Sequence, residues 1–304
     1  MDYNHFCVVL EQEVRIMLGS EYEVEAKQIT KNNGVVKLGL IIGTKESSIR
    51  PTIYLENYYE EYCNGLCLKE IAQAILMLYT KEAREKNVTQ KGFCLMKMMD
   101  KIVFRIINYE RNQEMLNESP YVKCMGDLAM VFYCIIDTKD GSIGSFRITH
   151  EHMKHFRLSF EELKKIAFSN TRRMFPVRIR NMEDVLVEAI MECEDEISSE
   201  FKELELSKDD ECMYVLTNKQ KIFGAACALY PDVLHSFSNR VNADVVILPS
   251  SIHELILVPY RKEMDIKELK SMVKEINLSQ VVEEERLSDS VYLYRKESGE
   301  IEVA

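Results

Sequence analysis

At 304 residues the chain has the length of about two domains. Its 46% hydrophobic and 29% charged residues exclude a disordered chain, and a formal net charge of −11 speaks against a dedicated nucleic-acid binder, which needs a basic face. Nine cysteines, an odd number, behind an N-terminus with no positive region and only a short apolar run predict free thiols in a reducing cytoplasm rather than a secreted disulfide scaffold.

The predicted elements follow from the spacing of apolar residues. Residues 5–18 carry Phe6, Val9, Leu10, Ile16 and Met17 at helical intervals, and Gly19 is the stop. Tyr22 to Ala26 alternates with period two. Asn33-Gly34 then separates it from the run Val35 to Ile41, which predicts a tight hairpin. A third strand is expected over Pro51–Leu55, and a helix over Leu68–Lys86 with Ile71, Ala74, Ile75, Leu78 and Tyr79 on one face. A short helix is expected over 91–99 and a strand over Ile102–Ile107.

Leu128 to Ile136 is the longest apolar run. It reads as a buried strand, far short of the roughly 20 residues of a membrane helix. Asp140-Gly141 turns it into a strand over Ile143–Ile148. Thr149 can cap a short helix, and Ser159 with Glu162 forms a capping box, in which hydroxyl and carboxylate satisfy each other's backbone donors. The helix it opens runs to about Arg173 and ends before Pro176. Another helix spans Met182–Met191. Between Glu192 and Glu211 there are ten acidic residues and two lysines. Such a stretch repels itself and buries little, so it marks a linker or an exposed helix.

Beyond it, strands are expected over Met213–Thr217, Ile222–Cys227, Val245–Leu248, Glu254–Val258 and Val291–Tyr294. Helices are expected over Pro231–Arg240 and Ile266–Ile276. The fold class that results is α+β, with mainly antiparallel sheets, helices packed on one face, and two modules. The modules are residues 1–191 and 212–304, joined by the acidic stretch 192–211.

Several constellations carry possible chemistry. His152 and His155, three apart on a helix and preceded by His150, share a face suited to a metal, but no further ligand completes the set. Cys63 and Cys67 lack a second pair for zinc. Arg172, Arg173, Arg178 and Arg180 form the one basic patch and would be the footing of a nucleic-acid reading, one that the overall charge disfavours. Tyr54, Tyr58, Tyr59 and Tyr62 make an aromatic stripe interleaved with glutamates, either core or a recognition face. Nucleotide-loop, dinucleotide, metalloprotease and CxxC patterns are missing from the sequence, so no cofactor is assigned.

The most distinctive segment is Leu248-Pro249-Ser250-Ser251-Ile252-His253-Glu254. It gathers two hydroxyls, an imidazole and a carboxylate at a strand–turn–strand junction. On a strand His253 and Glu254 point to opposite faces and cannot form a relay, and no glycine-flanked elbow surrounds the serines. The residues Ser250, Ser251, His253 and Glu254, with Asn218 and Tyr54, are therefore candidates for contact with a ligand or partner. Two functions remain in view: a non-enzymatic binding or adaptor protein, and a hydrolase-like enzyme using Ser250 or Ser251 with a distant base such as His235.

Leu216-Thr217-Asn218, Gly224-Ala225-Ala226, Tyr230-Pro231 and the Leu248–Glu254 segment, with Pro51–Glu56 and Tyr58–Gly65 in the first half, carry a resemblance. The chain resembles a family of uncharacterised proteins from gut Clostridia and related Firmicutes, over nearly its whole length. More distantly it is similar to a second uncharacterised Firmicute family. The resemblance implies a bacterial cytoplasmic protein and one continuous family unit. It lends no activity, cofactor or catalytic residue.

Overall fold

The structure is a computed structural model that describes residues 1–44, 50–85, 98–137, 143–192 and 213–304. They fall into two compact units, one over Met1–Lys97 with Asp137–Gly144 and one over Met98–Ile136 with Ser145–Ala304. No helix among the described residues is long and apolar enough to cross a membrane.

The first unit opens on helix α1 (Tyr3–Leu18). Asp2 caps it by accepting from the His5 N–H at 2.9 Å, and Gly19 at φ +82° ends it. Strands β1 (Tyr22–Thr30) and β2 (Val36–Thr44) form the predicted hairpin, paired from Tyr22↔Thr44 to Thr30↔Val36. Asn33 and Gly34, at φ +59° and +73°, supply the positive angles that such a turn requires. Strand β3 (Thr52–Tyr54) completes an antiparallel three-stranded sheet.

Tyr54 of the aromatic stripe ends β3, helix α2 (Glu56–Cys63) takes Tyr58, Tyr59 and Tyr62, and α3 (Leu68–Glu85) follows. Phe6, Leu10 and Val14 of α1 pack with Val24, Leu40 and Ile42 of the sheet and Ile71 and Ile75 of α3. The rings of Tyr59 and Tyr62 lie 5.2 and 5.3 Å from Phe6 at the edge of this core. The short helix expected over 91–99 falls mainly outside the described residues.

The second unit holds β4 (Ile102–Asn108), β5 (Tyr121–Cys124) and all but the facing ends of β6 (Leu128–Asp137) and β7 (Ile143–Arg147); these strands form one sheet in which β4 and β5 run antiparallel to β6, with the short helix α4 (Gln113–Asn117) between β4 and β5. Helices α5 (His150–Phe156) and α6 (Phe160–Met174) start at Thr149 and Ser159, each with a closed capping box. Strand β8 (Val177–Asn181) and helix α7 (Met182–Glu192) follow.

A six-stranded sheet is then assembled in the order β13-β12-β10-β11-β9-β8. Its members besides β8 are β9 (Tyr214–Asn218), β10 (Val245–Ser251), β11 (Glu254–Pro259), β12 (Tyr292–Tyr294) and β13 (Ile301–Val303). Helix α8 (Val233–Val241) precedes β10, and α9 (Ile266–Ser279) follows β11. The class is α+β with antiparallel sheets throughout. β8 and β9, on either side of the acidic stretch, pair with each other, while residues 193–211 of that stretch lie outside the described residues.

Strand β10 is apolar without alternation because both its faces are covered. Val245 and Ile247 join the large core with Phe104, Phe132 and Phe237, whereas Val246 and Leu248 pack with Val273 of α9. Asp127 ties the two sheets together, since its carboxylate accepts from Tyr292 OH (2.5 Å), Ser288 Oγ (2.8 Å) and Asn108 Nδ2 (3.1 Å).

One expected element is corrected. Ile222–Cys227 is not a strand: Gly224–Leu229 forms a 3-10 helix with Ala225, Ala226, Cys227 and Ala228 buried. Apolar content alone does not distinguish a strand from a buried helical turn. Helix α8 also starts two residues later than Pro231, after a turn in which Asp232 takes φ +66°.

Two outcomes follow from these contacts. Asp127→Ala leaves three donors without their acceptor and should lower the unfolding free energy by about 2–4 kcal/mol, read from the urea midpoint. In the α5 cap, His152 replaces the usual Glu or Gln, and its Nδ1 accepts from the Thr149 N–H at 3.1 Å. Burial, with help from His155 and Arg147, holds the imidazole below its ordinary pKa, so the unfolded chain takes the proton more readily. This contribution is present above about pH 6.5 and lost as the pH falls below it. His152→Gln should keep the cap and flatten stability between about pH 7 and 5.5 relative to the parent chain, measured by thermal melts.

Candidate functional site

The Ser250–Glu254 segment is a hairpin end whose geometry is set by a bulge. Pro249 pairs with Leu255 and Ser251 with Glu254, so Ser250 is the extra residue. The loop residues Ile252 and His253 keep negative φ, and the bulge supplies the bend. It also directs Ser250 Oγ to Glu254 Oε1 at 3.2 Å. Ser251 Oγ accepts from the His253 N–H at 3.0 Å. Ile252 is buried, its N–H donates to the Glu285 carbonyl at 2.9 Å, and its carbonyl accepts from the Ala225 N–H. The turn is thus held on two sides by backbone.

The closest approach is at Gly224. A Cβ there would lie 2.2 Å from Thr217 Oγ1 and 2.5 Å from the His253 carbonyl oxygen. Thr217 Oγ1 donates to that same carbonyl at 2.9 Å. Only a residue without a side chain lets these three segments meet. Phe223, just before it, takes a left-handed φ of +54°, and its N–H donates to His253 Nδ1 at 3.1 Å. The imidazole proton therefore resides on Nε2, which faces Glu285 Oε1 at 3.5 Å.

Behind the turn, Phe223 stacks on His253 at 5.2 Å. The Arg105 guanidinium lies 3.5 Å from the centre of Phe223 and 4.1 Å from that of Tyr133. Arg105 is buried, and its Nη2 donates to Ser145 Oγ at 2.8 Å, while Nε has no partner among the described residues. Nor does any carboxylate among the described residues pair with it. Burial lowers its pKa to about 10, with Tyr133 opposing, so it is a cation at neutral pH. Among the described residues its charge is met by ring faces and not by a counter-ion. Tyr133, Arg105, Phe223 and His253 form one chain of contacts.

The other candidates stand apart. Asn218 is buried and spends its amide inside the turn that follows it, donating to the Ile222 carbonyl (2.7 Å) and accepting from the Gln220 N–H (3.0 Å). Tyr54 belongs to the first unit, where Lys31 Nζ donates to its hydroxyl at 2.8 Å. His235 lies on α8 and meets Asn239 at 2.9 Å. Among the described residues no serine hydroxyl is hydrogen-bonded to an imidazole nitrogen. No group of three or more His, Cys, Asp and Glu among them is arranged for a metal.

Of the arginine patch, Arg173 donates to the Asp100 carbonyl at 2.7 Å, and Arg180 pairs with Glu188. Sequence reasoning missed Arg105, Phe223, Tyr133 and Glu285. The signal for Arg105 was legible: a single charge inside the otherwise apolar run Ile102–Ile107.

Residues 3–296 match a family of unknown function, DUF5688. No curated protein matches the chain. No solved structure matches it either.

Gly224→Ala should destabilise the second unit by about 2–3 kcal/mol, because the obstructing atoms are largely backbone. Thr217→Ala should cost about 1 kcal/mol. The difference between the two variants in denaturant midpoint checks that close approach matters more than the single hydrogen bond.

Proposed function

The chain belongs to the family of unknown function DUF5688, and on that footing we propose that it is a non-enzymatic binding or adaptor protein of the bacterial cytoplasm. In this reading the Ser250–Glu254 turn is the surface it presents to a protein partner. The observation that carries the proposal is the way the turn spends its polar groups. Both serine hydroxyls and the imidazole Nδ1 are held by partners within the turn and at Phe223. The Glu285 carboxylate, with 46% of its side chain exposed, stands beside His253 at 28%.

A rigid turn edged by Glu254 and Glu285 suits a partner that offers hydrogen-bond donors, such as lysine, arginine or a backbone N–H. A surface already ordered before binding loses little conformational entropy on contact. The hydrolase reading has less support. A serine nucleophile needs a base within reach of its hydroxyl, whereas Ser250 Oγ is directed to Glu254 and Ser251 Oγ to a backbone N–H.

Affinity capture with the parent chain, a Ser251→Ala/His253→Ala variant and a Glu254→Ala/Glu285→Ala variant tests this. Partners should be lost from both variants while the melting temperature of the second stays within about 2 °C of the parent. Unchanged partners at unchanged stability would sink the proposal. Ester hydrolysis that disappears in a Ser250→Ala variant would favour the enzyme instead.

A further inference from the structure

The opposite end of the β10–β11 hairpin holds a second feature. Between the start of β9, the end of α8 and the residues that follow β11 lies an open cleft of about 600 Å³, within the size range of small-molecule sites. Arg240 and Arg261 both line it, together with Tyr214, Pro259 and Tyr260. We infer that this cleft binds a small phosphate-bearing ligand with a planar ring.

The charge argument comes first. Neither Arg240 nor Arg261 pairs with a carboxylate among the described residues. Asp244, the acid nearest in sequence to the Ala243 that also lines the cleft, is already committed. It accepts from the Lys296 N–H at 2.9 Å and from Arg295 Nη1 at 3.1 Å, and these donors hold its carboxyl below the usual range. Two guanidiniums without a carboxylate partner among the described residues make a local positive site, and such a site in a concave wall draws small anions.

Geometry narrows the anion. The Arg240 guanidinium sits 5.4 Å from the centre of the Tyr214 ring and 5.0 Å from that of Phe237, so aromatic faces orient its planar fork before any ligand arrives. A fixed fork suits the paired oxygens of phosphate. Tyr260 is half-buried, with part of its side chain packed against the core of Val246, Val258 and Val273 and the rest lining the cleft. The part of the ring that lines the cleft is where a flat ring can stack, with Pro259 beside it.

Calorimetric titration of the full chain at low ionic strength, with adenosine monophosphate and with inorganic phosphate as probes, tests the assignment. Saturable binding of adenosine monophosphate is expected, about tenfold tighter than inorganic phosphate because of the stacked ring. Arg261→Gln, which removes no ion pair among the described residues, should weaken both probes about tenfold, as should Arg240→Gln. Tyr260→Ala should bring adenosine monophosphate down to the level of phosphate, and Arg172→Gln on α6 should change nothing. Absence of saturable binding to the parent chain overturns the proposal, as does binding indifferent to Arg261→Gln. Equal affinity for the two probes overturns the ring half of it.

Discussion

The contact at Gly224 is the constraint on which the second unit's surface depends. Three segments far apart in sequence meet there: the end of β9 at Thr217 and Asn218, the 3-10 turn that begins at Gly224, and the β10–β11 turn at His253. A methyl group in that position would have to displace a threonine hydroxyl and two backbone atoms. Where the backbone passes this closely, Phe223 takes a left-handed φ, its N–H reaches His253 Nδ1, and its ring stacks on the imidazole at an interplanar angle of 29°. The orientation of the imidazole is thus a consequence of backbone packing one residue away from Phe223.

The buried Arg105 is the second half of the same arrangement. A cation out of water usually needs a counter-ion. Among the described residues Arg105 has two aromatic faces and one serine hydroxyl. The quadrupoles of Tyr133 and Phe223 offset part of the lost hydration, and the guanidinium in turn fills the space behind Phe223. The packing that stabilises the charge is also what backs the Phe223–His253 stack from the core side.

The two features proposed as binding surfaces differ in kind. The Ser250–Glu254 turn has its polar groups tied to one another and presents carboxylates, which favours a large partner with donors. The Arg240–Arg261 cleft is concave and positive, which favours a small anion. They lie at opposite ends of one hairpin, β10–β11, whose central residues are buried on both faces.

Local chemistry determined much of the fold from sequence alone. The Asn33-Gly34 turn, the Ser159–Glu162 box, the Thr149 cap and the apolar periodicity of α1 and α3 are each decided by residues within a few positions of one another, so they could be read directly. The Leu248–Glu254 segment could be singled out for the same reason. Tertiary structure decided what depends on distant neighbours. Gly224–Leu229 is helical because the chain must turn where Gly224 presses on Thr217 and His253. The compact units divide after Lys97, which no local composition marks. Arg105, Tyr133, Phe223 and Glu285 join His253 only through contacts that span β4, β6, the 3-10 turn and the segment before β12. Short-range spacing encodes turns, caps and faces; which faces meet is a property of the packed chain, and the site is made of such meetings.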